Sequence, residues 1–168
     1  MQVLSKIGLG GGCHWCTEAV FQHLQGVHIV EQGYLASKPP YDSFSEGVIV
    51  HYDPHEISLD ILYEIHLNTH AASSDHSFRS SYRSAVYYFD VMAEEAFVKA
   101  LQKLQQEFKA PIVTKALPFK AFRSSRESIT DYYSKHSEGP FCSKYIQPKL
   151  AFLEKRYAKY YKASQKAI

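Results

Sequence analysis

The apolar positions along the chain switch between strand-like and helical spacing. Val3 to Leu9 reads as a short strand that runs into a glycine turn. From Cys13 to Gln25 the apolar residues Val20, Phe21 and Leu24 take helical spacing, and Gly26 is a fitting stop. Val27 to Ala36 reads as a second strand, and Glu46 to Tyr52 as a third. The stretch SKPPYDSF between them is a loop, because Pro39 and Pro40 exclude regular pairing. Ser58 can cap a helix that runs to Asn68, with Leu59, Leu62, Ile65 and His66 on one face. THAASSDHSFRSS is a polar loop, and Ser84 to Phe89 reads as a strand. Ala93 to Phe108 reads as a helix, with Phe97, Leu101, Leu104 and Phe108 at spacings of three and four. Ile112 to Leu117 reads as a further strand, and Glu127 to Ser134 and Leu150 to Lys162 as closing helices.

The leading elements run strand, helix, strand, strand, helix, strand. That order predicts an α+β fold: a two-layer sandwich on a ferredoxin-like (split βαβ) core, with helices on one face of a mainly antiparallel sheet. The 168 residues suit a single domain over 1–168, closed by a basic helix at about 149–163. In this layout the glycine turn leaves the end of the first strand and opens the first helix. Free N–H groups and the helix dipole stabilise an anion there.

Composition adds exclusions. With 45% hydrophobic and 21% charged residues the chain is an ordinary globular sequence, and its net charge of +2 demands no polyanionic partner. Lys144, Lys149, Lys155, Arg156, Lys159, Lys162 and Lys166 face only Glu154 near the C-terminus. That run reads as a solvated helix face, not as a nucleic-acid surface. No stretch reaches the ~18 apolar residues of a membrane span, and MQVLSKIGLGGG has no signal-peptide pattern. Cys13, Cys16 and Cys142 make an odd count, so free thiols in the cytoplasm are the expectation.

The chemistry gathers in GLGGGCHWCTEAVFQ, where the only tryptophan lies between two cysteines. Cys13 falls at the predicted helix N-terminus, where a thiol pKa can drop from ~8.5 to between about 3.5 and 7.5. Gly10, Gly11 and Gly12 allow a tight turn and close approach of a substrate, and Trp15 offers an apolar wall. Cys16 lies one helical turn on, near enough for a disulfide if the backbone allows it. Thiol–disulfide exchange and two buried, inert cysteines are both open readings of the pair. A structural zinc needs more ligands than one CxxC supplies, and Thr17 after Cys16 excludes c-type haem attachment. No metal or cofactor is expected.

The turn GGGCHWCTEAVF is similar to the signature of the type A peptide methionine sulfoxide reductases. GVHIVEQGY, EGVIVHYDPHEIS, SSYRSAVYY and GPFCSKYIQPKL resemble further segments of that family in the same order, over roughly residues 6 to 150. The family's two-layer α+β sandwich agrees with the element order. The resemblance implies reduction of methionine-S-sulfoxide, free or peptide-bound, through a cysteine sulfenic acid and a disulfide. Thioredoxin or a similar thiol reductant resets such enzymes. By position, Cys13 matches the attacking nucleophile, Glu46 the acid that protonates the sulfoxide oxygen, and Tyr82 a hydrogen-bond donor to that oxygen. Tyr41 is the candidate second tyrosine. Trp15 and His14 match the aromatic pair that holds the substrate methyl group, with His14 as a planar replacement that has no proton role. Cys142 matches the usual resolving cysteine and Cys16 is the alternative.

The chain also departs from the family pattern. The loop from Tyr34 to Glu46 is short, Phe44-Ser45 stands where His-Ala is usual, Ser77 replaces an aspartate with Asp75 nearby, and His14 replaces a phenylalanine. A divergent, monomeric reductase is the expectation. The alternatives are a thiol–disulfide oxidoreductase using Cys13 and Cys16, and a binding module that holds methionyl segments without turnover.

Overall fold

The computed structural model describes residues 3–163. Met1, Gln2 and the residues from Ser164 on, with Lys166 of the basic run, lie outside the described residues. The chain forms β1 (Ser5–Gly10), α1 (His14–Gln22), β2 (Val27–Ala36), β3 (Ser45–Tyr52), α2 (Leu59–Thr69) and β4 (Ala85–Tyr88). Then follow α3 (Val91–Leu104), β5 (Lys115–Pro118), β6 (Ala121–Ser124), α4 (Tyr132–His136) and α5 (Gln147–Arg156). Ser58 Oγ accepts from the Ile61 N–H at 3.3 Å and starts α2 where the sequence indicates. Asp90 caps α3 through the Met92 N–H and starts it two residues earlier than Ala93.

One six-stranded sheet runs in the order β5-β4-β1-β3-β2-β6. β1–β3, β1–β4, β2–β3 and β2–β6 pair antiparallel, whereas β4–β5 pair parallel. The sheet is therefore mixed, with its inner strands in the order β4-β1-β3-β2. Alternation sorts the strand side chains. Ile7, Leu9, Val48, Val50 and Val86 join Val20, Phe21, Leu62, Ile65, Phe97, Leu150 and Leu153 of the helices in the main core. Leu35, Ile49, Ala85, Tyr87 and Leu117 form a smaller cluster on the other face. There the sheet curls on itself. A Cβ at Gly8 on β1 would stand 2.8 Å from Tyr87 on β4 and 2.9 Å from Leu35, two strands away on β2. Only a residue without a side chain lets those two converge.

The C-terminal third departs most from the periodic reading. The stretch expected as one helix from Glu127 to Ser134 is a short 3-10 turn and then α4, broken at Asp131, whose φ is 52°. Buried Glu18 takes the backbone N–H groups of Asp131 (3.0 Å) and Tyr132 (3.1 Å) and fixes that break. α5 ends at Arg156, not Lys162. Beyond it the Tyr160 carbonyl accepts from Gln25 N–H (2.6 Å) and Lys162 N–H donates to the His23 carbonyl (2.9 Å). Backbone pairing with the end of α1 outcompetes another helical turn. No helix among the described residues is long and apolar enough to cross a membrane.

Candidate active site

The glycine turn after β1 is held from behind. Gly11 has φ +148°, and a Cβ there would lie 2.4 Å from the His70 ring. The Gly10 carbonyl accepts from His66 Nε2 at 2.8 Å. The Gly11 carbonyl accepts from Arg79 Nη1 at 2.8 Å. Arg79 also reaches the carbonyls of Ser74, Ala71 and Tyr82, so one guanidinium ties the turn to the Tyr82 loop. Burial pushes the pKa of His66 down to about 4 and that of His70 well below its ordinary value, so both props are neutral. Asp75 faces Arg79 electrostatically and opposes the burial that lowers its pKa.

Cys13 caps α1 and is half-buried. Its pKa is lowered, first by a hydrogen bond from the Cys16 side chain and further by the backbone N–H groups of Trp15 and Cys16; burial and the Glu46 carboxylate oppose this. Cys16 is shifted the other way: donating to Cys13, burial and the Cys13 charge keep it a thiol, while Lys149 pulls in the opposite sense. Cys142 is fully buried, its thiol pKa is raised by desolvation, and it lies close enough to influence Cys16.

Glu46 starts the outer half of β3, directly opposite Tyr34 on β2. Its N–H donates to the Ser81 carbonyl (3.0 Å), and the Arg83 N–H donates to Ser45 Oγ (2.7 Å). These bonds stitch the Tyr82 loop to β3. The Tyr82 pKa rises chiefly through the Glu46 charge, with burial, the Cys13 charge and a hydrogen bond to Glu46 adding to it. Arg83, next in the chain, points away. It reaches Tyr87 Oη (3.1 Å) and the carbonyl and hydroxyl of Ser43 (both 2.8 Å). Tyr-Arg-Ser thus divides its work: tyrosine to Glu46, arginine to the 43-loop, and Ser84 to His70 at 2.8 Å.

The remaining expected residues fall differently. Tyr41 packs with the smaller cluster, 5.8 Å beneath the Arg83 guanidinium. Tyr34, which no sequence motif singles out, stands directly opposite Glu46 across the hairpin, and its charge also acts on Tyr82. A register of the β2–β3 hairpin would have found it. Trp15 is partly covered: Tyr132 stacks on it at 4.0 Å with an interplanar angle of 1°, and Phe141 meets it edge-on at 5.2 Å. His14 is buried at 3% exposure. Its Nδ1 lies 3.0 Å from the Gly33 carbonyl and its Nε2 3.2 Å from Glu46 Oε1. At the opposite end of β3, His28, Asp53 and Glu56 bring ligand atoms within 4.8 Å of one another, with His28 and Glu56 already in contact at 3.0 Å.

Residues 5–162 match the family described as "Peptide methionine sulfoxide reductase". The chain is 33% identical to peptide methionine sulfoxide reductase MsrA of Pseudarthrobacter chlorophenolicus, over 89% of this chain and 94% of that one. It is 31% identical to the MsrA of Sulfolobus acidocaldarius, over 89% and 93%. Among solved structures, reduced Mxr1 from Saccharomyces cerevisiae superposes with a TM-score of 0.73 at 21% identity, covering 83% of this chain and 89% of that one. Mxr1 in complex with Trx2 gives a TM-score of 0.62 at 21% identity, covering 74% and 82%. The match over almost the whole chain and the relatives above 30% identity make this protein a member of the peptide methionine sulfoxide reductase family.

Proposed function

We propose that the protein reduces methionine-S-sulfoxide, free or within proteins, to methionine, with Cys13 as the attacking sulfur. The observation that carries this reading is the meeting of a thiol biased toward thiolate with Glu46 and Tyr82 at the N-terminus of α1. The thiolate attacks the sulfoxide sulfur, and the oxygen takes a proton from Glu46 while the Tyr82 hydroxyl hydrogen-bonds to it. The oxygen ends on Cys13 as a sulfenic acid. The substrate sulfur gains two electrons, the Cys13 sulfur loses two, and methionine leaves.

A second thiol then condenses with the sulfenic acid: an S–S bond forms, the S–OH bond breaks, and water departs with the thiol proton. Cys16 already donates to Cys13, which supports Cys16 as the first partner. Cys142 is sealed in the core and must become accessible before it can take part. A thioredoxin-like dithiol takes up the disulfide, as the complex of the relative Mxr1 with Trx2 suggests for that protein. A reducing compartment such as the cytoplasm suits this cycle. Helices gathered on one face of the sheet support the two-layer, single-domain description.

The Cys13–Cys16 contact also favours a second reading, disulfide exchange with protein substrates. Reduced protein incubated with methionine-S-sulfoxide and dithiothreitol separates the two. Methionine formation that vanishes in Cys13→Ser supports the reductase. Exchange without methionine formation supports the oxidoreductase, and neither activity leaves a methionyl-binding module.

A further inference from the structure

The His14 ring sits behind Glu46, and its surroundings decide which nitrogen carries hydrogen. Nδ1 lies 3.0 Å from the Gly33 carbonyl oxygen. A carbonyl only accepts, so Nδ1 holds a proton. A neutral ring then turns a bare lone pair on Nε2 toward Glu46 Oε1, 3.2 Å away. The same oxygen lies 3.3 Å from the His14 backbone N–H. An ionised carboxylate opposite a neutral Nε2 would set two lone pairs face to face, on a His14 side chain that is 4% exposed and a Glu46 side chain that is 20% exposed. A single proton between them removes the conflict on either side: imidazolium beside carboxylate, or imidazole beside carboxylic acid.

Two further observations give that proton a use. The attacking form of Cys13 is the thiolate, toward which its surroundings lower its pKa, and a thiolate brings no proton to the sulfoxide oxygen. Among the described residues, no Lys or Arg nitrogen comes within 4.0 Å of Glu46, and His14 is the ionisable nitrogen that does. The other titratable groups facing the pair are Tyr34 from β2, edge-on to the ring at 5.3 Å, Tyr82 from the loop before β4, and Cys13 from the start of α1.

We propose that His14 is the proton partner of Glu46, and that the two side chains together hold the one proton that the sulfoxide oxygen takes up. The proposal rests on the reductase reading. His14 acts through Glu46 and is a positioning residue. The cycle balances. Thiolate, protonated pair and sulfoxide give sulfenic acid, a pair lacking its proton, and methionine. Condensation with the second thiol releases water. The reductant's two hydrogens then restore one thiol and the proton of the pair, leaving Cys13 as thiolate. His14 thus gives the shared proton a second site 3.2 Å from Glu46 Oε1.

The test is single-turnover methionine formation by reduced wild type and His14→Phe across pH. Without its partner the shared proton has one site instead of two, so the alkaline limb of the profile moves toward acid. The wild-type/variant rate ratio should be about tenfold or more larger near pH 8 than near pH 5.5. A ratio constant across pH marks a merely structural role and overturns the proposal. Long-range 1H–15N spectra of the His14 ring in the reduced wild-type protein need no turnover. A protonated Nδ1, with an Nε2 signal that changes in Glu46→Gln, supports the pair; a bare Nδ1 overturns it. Absence of wild-type turnover would instead sink the reductase reading, while the ring spectrum still reports whether the pair holds its proton.

Discussion

Two adjacent glycines in the turn before Cys13 should respond very unequally to the same substitution. At Gly11 the backbone has φ +148°, and an added Cβ would stand 2.4 Å from His70 Cδ2 and 2.6 Å from His70 Nε2. A side chain at such a φ costs about 1–3 kcal/mol. The ring cannot yield cheaply, because His70 Nε2 is bonded to Ser84 Oγ at 2.8 Å, and Ser84 to Thr114 at 2.7 Å. Breaking a buried hydrogen bond of this kind adds about 1–3 kcal/mol. Gly11→Ala should therefore lose about 4 kcal/mol, which for a chain of this length lowers Tm by roughly 8–16 °C. At Gly12 an added Cβ meets nothing within 4 Å. Gly12→Ala should stay within about 0.5 kcal/mol of wild type, a shift of roughly 1–2 °C. Calorimetry on both reduced variants reads the difference. Equal melting temperatures for the two, or a Gly11→Ala protein that melts with wild type, would refute the argument that His70 packs against this turn.

Three further outcomes are expected. Cys16→Ala removes the strongest influence lowering the Cys13 pKa, so the midpoint of iodoacetamide alkylation against pH should move up; an unchanged midpoint would mean the backbone N–H groups suffice. Tyr82→Phe should lower kcat on the order of 100-fold with KM nearly unchanged, since the hydroxyl is placed for the developing oxygen charge; a pure KM effect would contradict that role. Burial raises the Glu18 pKa, so the folded state favours the protonated form: this stability is fully present below the unfolded carboxyl value of ~4.3 and is lost as pH rises through the raised folded value. Glu18→Gln should flatten that part of the Tm–pH curve, and an identical curve would show that Glu18 does not titrate in it.

Legibility followed the range of the interactions. Cys13, Glu46 and Tyr82 stood out because each lies in a short local motif, and the hairpin and loop bonds at Ser45 and Ser81 bring those motifs together. Tyr34 was hidden because its place opposite Glu46 depends on the β2–β3 register, which no local pattern reports. Tyr41 belongs to a loop whose path is set by Arg83, well away in sequence. β6 escaped notice because Ala121–Ser124 is short and is a strand only by pairing with the edge of β2. The overlong last helix has the same origin: YAKYYK suits a helix by itself, but its backbone binds residues 23 to 25. His14 looked like an aromatic substitute, and only three dimensions show its ring between Gly33 and Glu46.

The identity of the sulfur that accepts oxygen is the hinge of the account, and it is directly measurable. In Cys16→Ser/Cys142→Ser, the sulfenic acid has no internal thiol to consume it. One equivalent of 18O-labelled methionine-S-sulfoxide, followed by peptide mass spectrometry, should find the heavy oxygen on Cys13 and an equal amount of methionine. Methionine formed with the Cys13 peptide unlabelled, or a label carried by another residue, would contradict the account.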